Sequence, residues 1–379
     1  MKLVHHWRLT SGLTALAVAL AIWSPPAGAT SFISQFSKVG PVGATGSTVP
    51  TNGDVNPYGV AVVPRTIGNL VQGNILVSNF NNSANSQGQG TTIVQLTPGG
   101  ILSTFAQLNP ALPGCPGGVG LTTALTALRR GWVIVGSLPT SGSSTPLTFT
   151  GSGCLIVLDA TGKVVTTIAG KPMVNGPWDM AGLDEGAEAA LFVSNVLNGG
   201  VTKNVDMQGN GPVVNAGTIM RLILSVPRQG EGIPLVVQST TIGSGFSEQA
   251  NGAALIVGAT GLGFSPQNGS LYVADTVNNR IAEIPNALFR TSTAFAGKDL
   301  TSNGGLNLPL GMVIAPNGDI VTVNAADGNI VETTPQGSQF PAFQLINNGG
   351  GDLFGLAIVP GNTGIYFVND GNNSLMLLN

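Results

Sequence analysis

Six places along this chain put an oxygen-bearing side chain at the end of a short apolar run: Asn79, Ser137, Asn195, Asp275, Asn324 and Asn369. Their oxygens are hard donors, and gathered around an axis they could hold a hard cation such as Ca2+ or a hydroxylated ligand. The same residue types at a strand end also hydrogen-bond the backbone of the adjoining turn. Both roles stay open at this point, with Asn195, Asp275, Asn324 and Asn369 as the candidate cation ligands. Asp179 and Asp352 lie close by in the repeating pattern and could add charge. Tyr58, Trp178 and Phe354 share one position of that pattern. They could offer a stacking platform for a sugar or pack as core between structural units.

Other chemistries drop out. The only histidines are His5 and His6. They fall in a leader with a basic start at Lys2 and Arg8, an apolar run over residues 13–23, and the small-residue pattern Ala27-Gly28-Ala29. That arrangement reads as a secretory signal peptide over residues 1–29. A chain beginning after it has no imidazole, which removes Ser-His-Asp and Cys-His catalysis and histidine-ligated metals. Cys115 and Cys154 are an even pair, read as a disulfide in an oxidising compartment. The expected location is secreted or periplasmic.

Only 8% of residues are charged, and the 12 basic residues left after the leader face 17 acidic ones. Nothing in that balance attracts nucleic acid or an anionic membrane. No later run is long and apolar enough to span a bilayer. Yet 42% of the chain is hydrophobic, in strand-length runs, so it is expected to fold rather than stay disordered.

The elements that must position these residues come from a repeat. A turn, a strand of the type Gly-Val-Ala-Val, a second turn and an apolar strand ending in Ser, Asn or Asp recur six times between Asn56 and Leu378. A third strand follows in each copy, and a fourth in several, as in Leu102-Ser103-Thr104-Phe105. Four short strands per repeat define a propeller blade. The expected fold is an all-β, six-bladed propeller of four-stranded blades over residues 30–379. The last copy ends after its third strand, so an N-terminal strand is expected to close the ring, with Phe32-Ile33-Ser34-Gln35-Phe36-Ser37 as the donor. Glycine at the start of each first strand suits a crowded position near the axis.

The fourth copy is the clearest: Leu262-Gly263-Phe264-Ser265-Pro266, then Leu271-Tyr272-Val273-Ala274-Asp275-Thr276-Val277-Asn278-Asn279-Arg280-Ile281. This stretch resembles the NHL-repeat β-propellers, and the likeness extends over nearly all of the chain after the leader. The other copies depart from it, mostly with Asn at the Asp275 position and no following Arg.

Three long inserts, over residues 80–91, 138–153 and 196–216, follow second strands. A long connection over residues 243–261 joins copies three and four. Propeller topology puts all four on the face where first strands begin, the top face. The leading functional reading is a secreted, monomeric binding or scaffolding module that takes a protein, peptide or glycan at this face. One alternative is a calcium-dependent, lactonase-like hydrolase with the ion at the channel mouth, a reading that rests on resemblance to wider six-bladed propellers. Another is a structural protein of the cell envelope.

Overall fold

The computed structural model describes residues 30–141, 147–148, 151–170, 174–196, 204–205, 211–251 and 254–379. The leader lies outside the described residues. From Ser31 onward the chain forms one compact unit. Six antiparallel sheets surround an axis, and the first strand of each is innermost. Blade one is Val55–Val62, Ile75–Asn81, Thr92–Leu96 and Leu102–Gln107. Blade two is Leu125–Ala127, Val133–Ser137, Cys154–Leu158 and Val164–Ala169. Blade three is Pro177–Asp184, Glu188–Asn195, Val213–Ser225 and Leu235–Asn251, with a short fifth strand, Leu255–Val257. Blade four is Ala259–Phe264, Leu271–Asp275, Arg280–Ile284 and Lys298–Ser302. Blade five is Pro309–Ile314, Ile320–Asn324, Asn329–Thr333 and Phe343–Gln344.

Blade six takes Leu353–Ile358, Ile365–Asn369 and Ser374–Leu378 from the C-terminus and Val39–Pro41 from the N-terminus. Val39 pairs with Leu378 and Pro41 with Met376, so the ring is closed by an N-terminal strand. The strand is not the one expected at residues 32–37. Ile33–Gln35 is a single 3-10 turn, and Phe32 and Ile33 are buried in the core shared by blades five and six. The cause is local. The Glu332 carboxylate accepts the adjacent N–H groups of Phe32 and Ile33 at 2.6 and 2.9 Å, which bends the backbone away from a ladder.

The second and third strands supply most of the core. Val133–Ser137 and Cys154–Leu158, for example, are buried at every position. Such strands lie between neighbouring blades and read as continuous apolar runs rather than alternating ones. The inner strands carry a recurring irregularity. Register slips between Pro57 and Val60, Pro177 and Met180, Ala259 and Gly261, Pro309 and Met312, and Leu353 and Leu356. Three of these bulges open on proline, which has no N–H to give a ladder. The expected crowding at the axis is present. A Cβ on Gly261, Gly311 or Gly355 would sit 1.9, 1.9 or 2.1 Å from the carbonyl oxygen of Leu310, Phe354 or Tyr58 in the next blade.

Blade three departs most from the repeat. Residues 243–251, expected as a connection, continue its outer strand, and Val213–Ser225 takes in the end of the third insert. The strand is rich in β-formers, but its apolar alternation is broken by Gly243, Ser244 and Gly245, which hid it. Parts of the second and third inserts lie outside the described residues. Two described pieces, Leu147–Thr148 and Asn204–Val205, pair as a two-stranded ribbon.

Cys115 and Cys154 form a disulfide with Cα atoms 5.3 Å apart. It ties the connection between blades one and two to a third strand, within an apolar cluster that includes Phe105, Leu125 and Ile156. Closing a loop of about 40 residues stabilises by roughly 4 kcal/mol in the chain-entropy model. The Cys115→Ser, Cys154→Ser double variant is expected to unfold at lower urea by that margin. Wild type treated with reductant should match it.

Candidate functional site: the mouth of the central channel

Tyr58, Trp178 and Phe354 each sit in the first-strand bulge of their blade, opened by Pro57, Pro177 and Leu353, and they meet one another. Tyr58 stacks on Phe354 at 4.6 Å between ring centroids and meets Trp178 edge-on at 5.9 Å. The Trp178 indole donates to the Tyr58 hydroxyl at 2.8 Å. Burial pushes the Tyr58 hydroxyl far above the ordinary phenol range. Phe80 packs edge-on to Tyr58, and Leu255 and Ile256 of the fifth strand in blade three complete the cluster. Tyr58 is 4% exposed and Trp178 2%. The three aromatics form a seal across the channel mouth, and the faces a sugar would stack on are covered.

Beneath the seal lies a small cavity of about 60 Å³, lined by Thr123, Asp179, Thr260 and Met312 among others. Asp179 stands where other blades have glycine and reaches the space those glycines leave. Its carboxylate accepts the Leu262 N–H at 2.8 Å, and burial pushes it up to about 7. Below the cavity the channel widens toward the opposite face between apolar inner-strand residues such as Val62, Phe264 and Ile314.

The strand-end polar residues are occupied mainly with backbone. The Asn195 side-chain oxygen accepts N–H groups of Asn175 and Gly176 at 2.9 and 3.2 Å. Asn324 accepts from Asn307 N–H at 3.0 Å and donates to Gly305 O at 2.8 Å. Ser137 accepts from Gly120 N–H at 2.9 Å, and Asn79 donates to Thr48 O at 2.6 Å. In each case the partner lies in the connection leading into the same blade. The recurrence of these residues thus has a structural cause: each ties a blade to its entry segment. Asp275 instead pairs across its own hairpin, 2.8 Å from Arg280 Nε and 2.9 Å from Asn278 Nδ2. The Asn195 and Asn324 side-chain oxygens are thus taken by backbone, while Asp275 Oδ1 and Asn369 Oδ1 are buried without a hydrogen-bond partner among the described residues.

Among the described residues the top face holds a carboxylate pair, Asp352 and Asp370. Asp370 Oδ1 and the neighbouring Asn369 Oδ1 are buried without a hydrogen-bond partner among the described residues. Asp370 Oδ2 accepts from Asn56 Nδ2 at 3.2 Å. The Asp352 carboxylate lies against Gly371, and its backbone carbonyl accepts the Asp370 N–H at 2.8 Å. Burial, then the charge of Asp352, pushes the Asp370 carboxyl up to about 7, and burial also raises Asp352. These oxygens fit a hard cation better than the strand-end ring does. Of the residues singled out in the sequence, Asn369 and Asp352 belong here. The run Asn369-Asp370 beside Asp352 was the available signal, visible only once first-strand starts and second-strand ends share a face.

The fold is that of six-bladed β-propellers. A gluconolactonase from Xanthomonas campestris superposes with a TM-score of 0.53 at 11% identity, covering 90% of this chain and 97% of its own. A calcium-binding regucalcin from Agrobacterium tumefaciens gives 0.49 at 13%, covering 88% and 92%. A catalytically inactive virginiamycin B lyase of Staphylococcus aureus, with quinupristin, gives 0.48 at 14%, covering 89% and 84%. No family model matches the chain, and no curated protein matches it. At these identities the likeness establishes the propeller and does not single out the NHL repeat.

Among the described residues no helix is long and apolar enough to cross a membrane, and the disulfide suggests an oxidising, non-cytoplasmic location.

Proposed function

We propose that this chain is a secreted or periplasmic binding propeller that takes a protein, peptide or glycan on its top-face loops, rather than processing a small molecule in its channel. The observation that carries this reading is the seal of Tyr58, Trp178 and Phe354. A substrate entering from the top would have to break their mutual packing and the buried indole–phenol hydrogen bond. The second and third inserts, low in charge and rich in Gly, Ser, Thr and Asn, would supply adaptable binding loops. Arrays of immobilised glycans and peptides test it. Binding by wild type, lost when residues 141–150 are replaced by Gly-Gly, is the expected result. Unchanged binding in that variant would move the surface elsewhere.

A second reading is a calcium-dependent hydrolase of lactones, favoured by the Asp352–Asp370 pair and supported by the gluconolactonase likeness. Asp352, Asp370 and Asn369 would hold the ion, which would supply a Lewis acid for a carbonyl. On the binding reading, calcium and chelator leave turnover of gluconolactone at background. Calcium-dependent turnover that Asp370→Asn abolishes would put the hydrolase first. The same variant also reads out the cation directly. A rise in melting temperature with calcium in wild type, absent in Asp370→Asn, would establish an ion site whether or not the protein is an enzyme.

A further inference from the structure

The chain is poor in charge, yet four of the seven arginines that follow residue 29 line one groove. Arg65, Arg129, Arg130 and Arg228 surround a cleft of about 640 Å³ on the face opposite the aromatic seal, with Glu185 and Gln229 on its rim. The arginines come from turns of three blades. Arg65 precedes the second strand of blade one, Arg129 and Arg130 precede that of blade two, and Arg228 follows the third strand of blade three.

The walls are tied together. Arg130 Nη1 donates to Val226 O at 2.7 Å, the Trp132 indole to Pro227 O at 2.8 Å, and Gln229 Nε2 to Arg130 O at 3.3 Å. Asn69 N–H donates to Ala160 O at 2.8 Å, and the Arg129 N–H to the Asp184 carboxylate. Those bonds hold backbone and one guanidinium, and they leave Arg65, Arg129 and Arg228 exposed at the cleft. Among the described residues the ion pairs found are both made by Arg280, so no described carboxylate lies within 4.0 Å of a groove guanidinium. Four arginines line one groove with Glu185 the only acid among the lining residues, an excess of positive charge that an anion would offset.

We propose that this groove binds a phosphorylated ligand of about sugar size. The volume is that of a small-molecule site. Guanidinium forks recognise phosphate oxygens bidentately and stay charged at any working pH. Approach from three blades suits a tetrahedral dianion, whose oxygens point several ways, better than a flat carboxylate. The site is independent of the top-face reading, and the phosphate can belong to a free compound or to a lipid headgroup.

Calorimetric titration with inorganic pyrophosphate at low salt tests it. Wild type is expected to bind saturably and to weaken as salt is raised. Arg65→Ala and Arg228→Ala, both at exposed side chains and so expected to keep the wild-type melting temperature, should each lose about tenfold in affinity. Glu185→Gln should gain about threefold by removing the opposing charge. Co-sedimentation with vesicles of equal parts phosphatidylglycerol and phosphatidylcholine separates the sources. Vesicle binding released by pyrophosphate assigns a lipid headgroup, whereas pyrophosphate binding without vesicle binding assigns a free ligand. No saturable pyrophosphate binding, or binding indifferent to both arginine variants, overturns the proposal.

Discussion

Gly311→Val is expected to prevent the propeller from accumulating as soluble, folded protein, whereas Gly40→Val is expected to be tolerated. A Cβ at Gly311 would lie 1.9 Å from the Phe354 carbonyl oxygen, an atom of the next blade's backbone that cannot rotate aside. Phe354 is itself stacked on Tyr58, whose carbonyl faces Gly355 in turn. Pushing one inner strand outward therefore loads the next, and a ring already closed by its N-terminus has no free edge to yield. Overpacking a core by a methylene costs roughly 1–3 kcal/mol when side chains give way. With backbone as the obstacle, about 3 kcal/mol for Gly311→Ala and more for valine is a fair scale. Gly40 sits in the closing strand with nothing within 4 Å of its Cβ position, so it controls for the loss of glycine as such. Soluble yield, gel filtration and the urea midpoint are the readouts. A Gly311→Ala midpoint equal to wild type would mean the inner strands separate cheaply and the axial crowding is not what holds glycine there.

The ring architecture was legible because its signal is local and repeated. Each blade states its strands within a few dozen residues, and six statements agree. The candidate site was legible only in part. Asn195 and Asn324 look like ligands in the sequence because their residue type and position recur, yet recurrence also marks a joint that every blade needs. Tyr58, Trp178 and Phe354 were recognisable as equivalent, but whether they line an open mouth or seal it depends on Leu255 and Ile256, which lie in no repeat. The arginine groove is assembled from single turns far apart in the chain, and no spacing rule predicts it. Glu332 was hidden for the same reason, since its partners at Ser31, Phe32 and Ile33 lie about 300 residues away.

That contact sets up the other large effect. A chain lacking residues 31–41 is expected to lose its closed fold, because two interactions go at once. The Ser374–Leu378 strand would be left as an unpaired edge, open to strand addition and aggregation. Glu332 would lose the Ser31 hydroxyl and two backbone N–H donors, leaving a buried carboxylate beside Asp319. Glu332→Ala isolates the second loss and should cost about 3 kcal/mol, read from urea midpoints. The pair also makes the latch sensitive to pH. Burial opposes ionisation of Glu332, but the hydrogen bonds from Ser31, Ile33 and Phe32 and from the Asp319 carboxyl outweigh it and hold Glu332 below the usual carboxylate range. Burial, then Glu332 beside it, pushes Asp319 up to about 7. A lowered carboxyl stabilises above its unfolded pKa and loses that stabilisation as pH falls. A raised one stabilises below its unfolded pKa and loses that stabilisation as pH rises through its folded value. The latch is therefore strongest near the ordinary carboxylate range, where Glu332 is already ionised and the Asp319 stabilisation is largely intact, and it weakens from there to about 7, where the folded protein gives up the Asp319 proton. Asp179 and Asp370, each pushed up to about 7, add to the loss over the same window. Melting temperature is expected to fall as pH rises from the ordinary carboxylate range to about 7 and to level off above it, and Asp319→Asn, which keeps a donor but cannot ionise, should flatten part of that fall. An unchanged slope in Asp319→Asn would place that loss in Asp179 and Asp370 alone and leave the latch indifferent to pH.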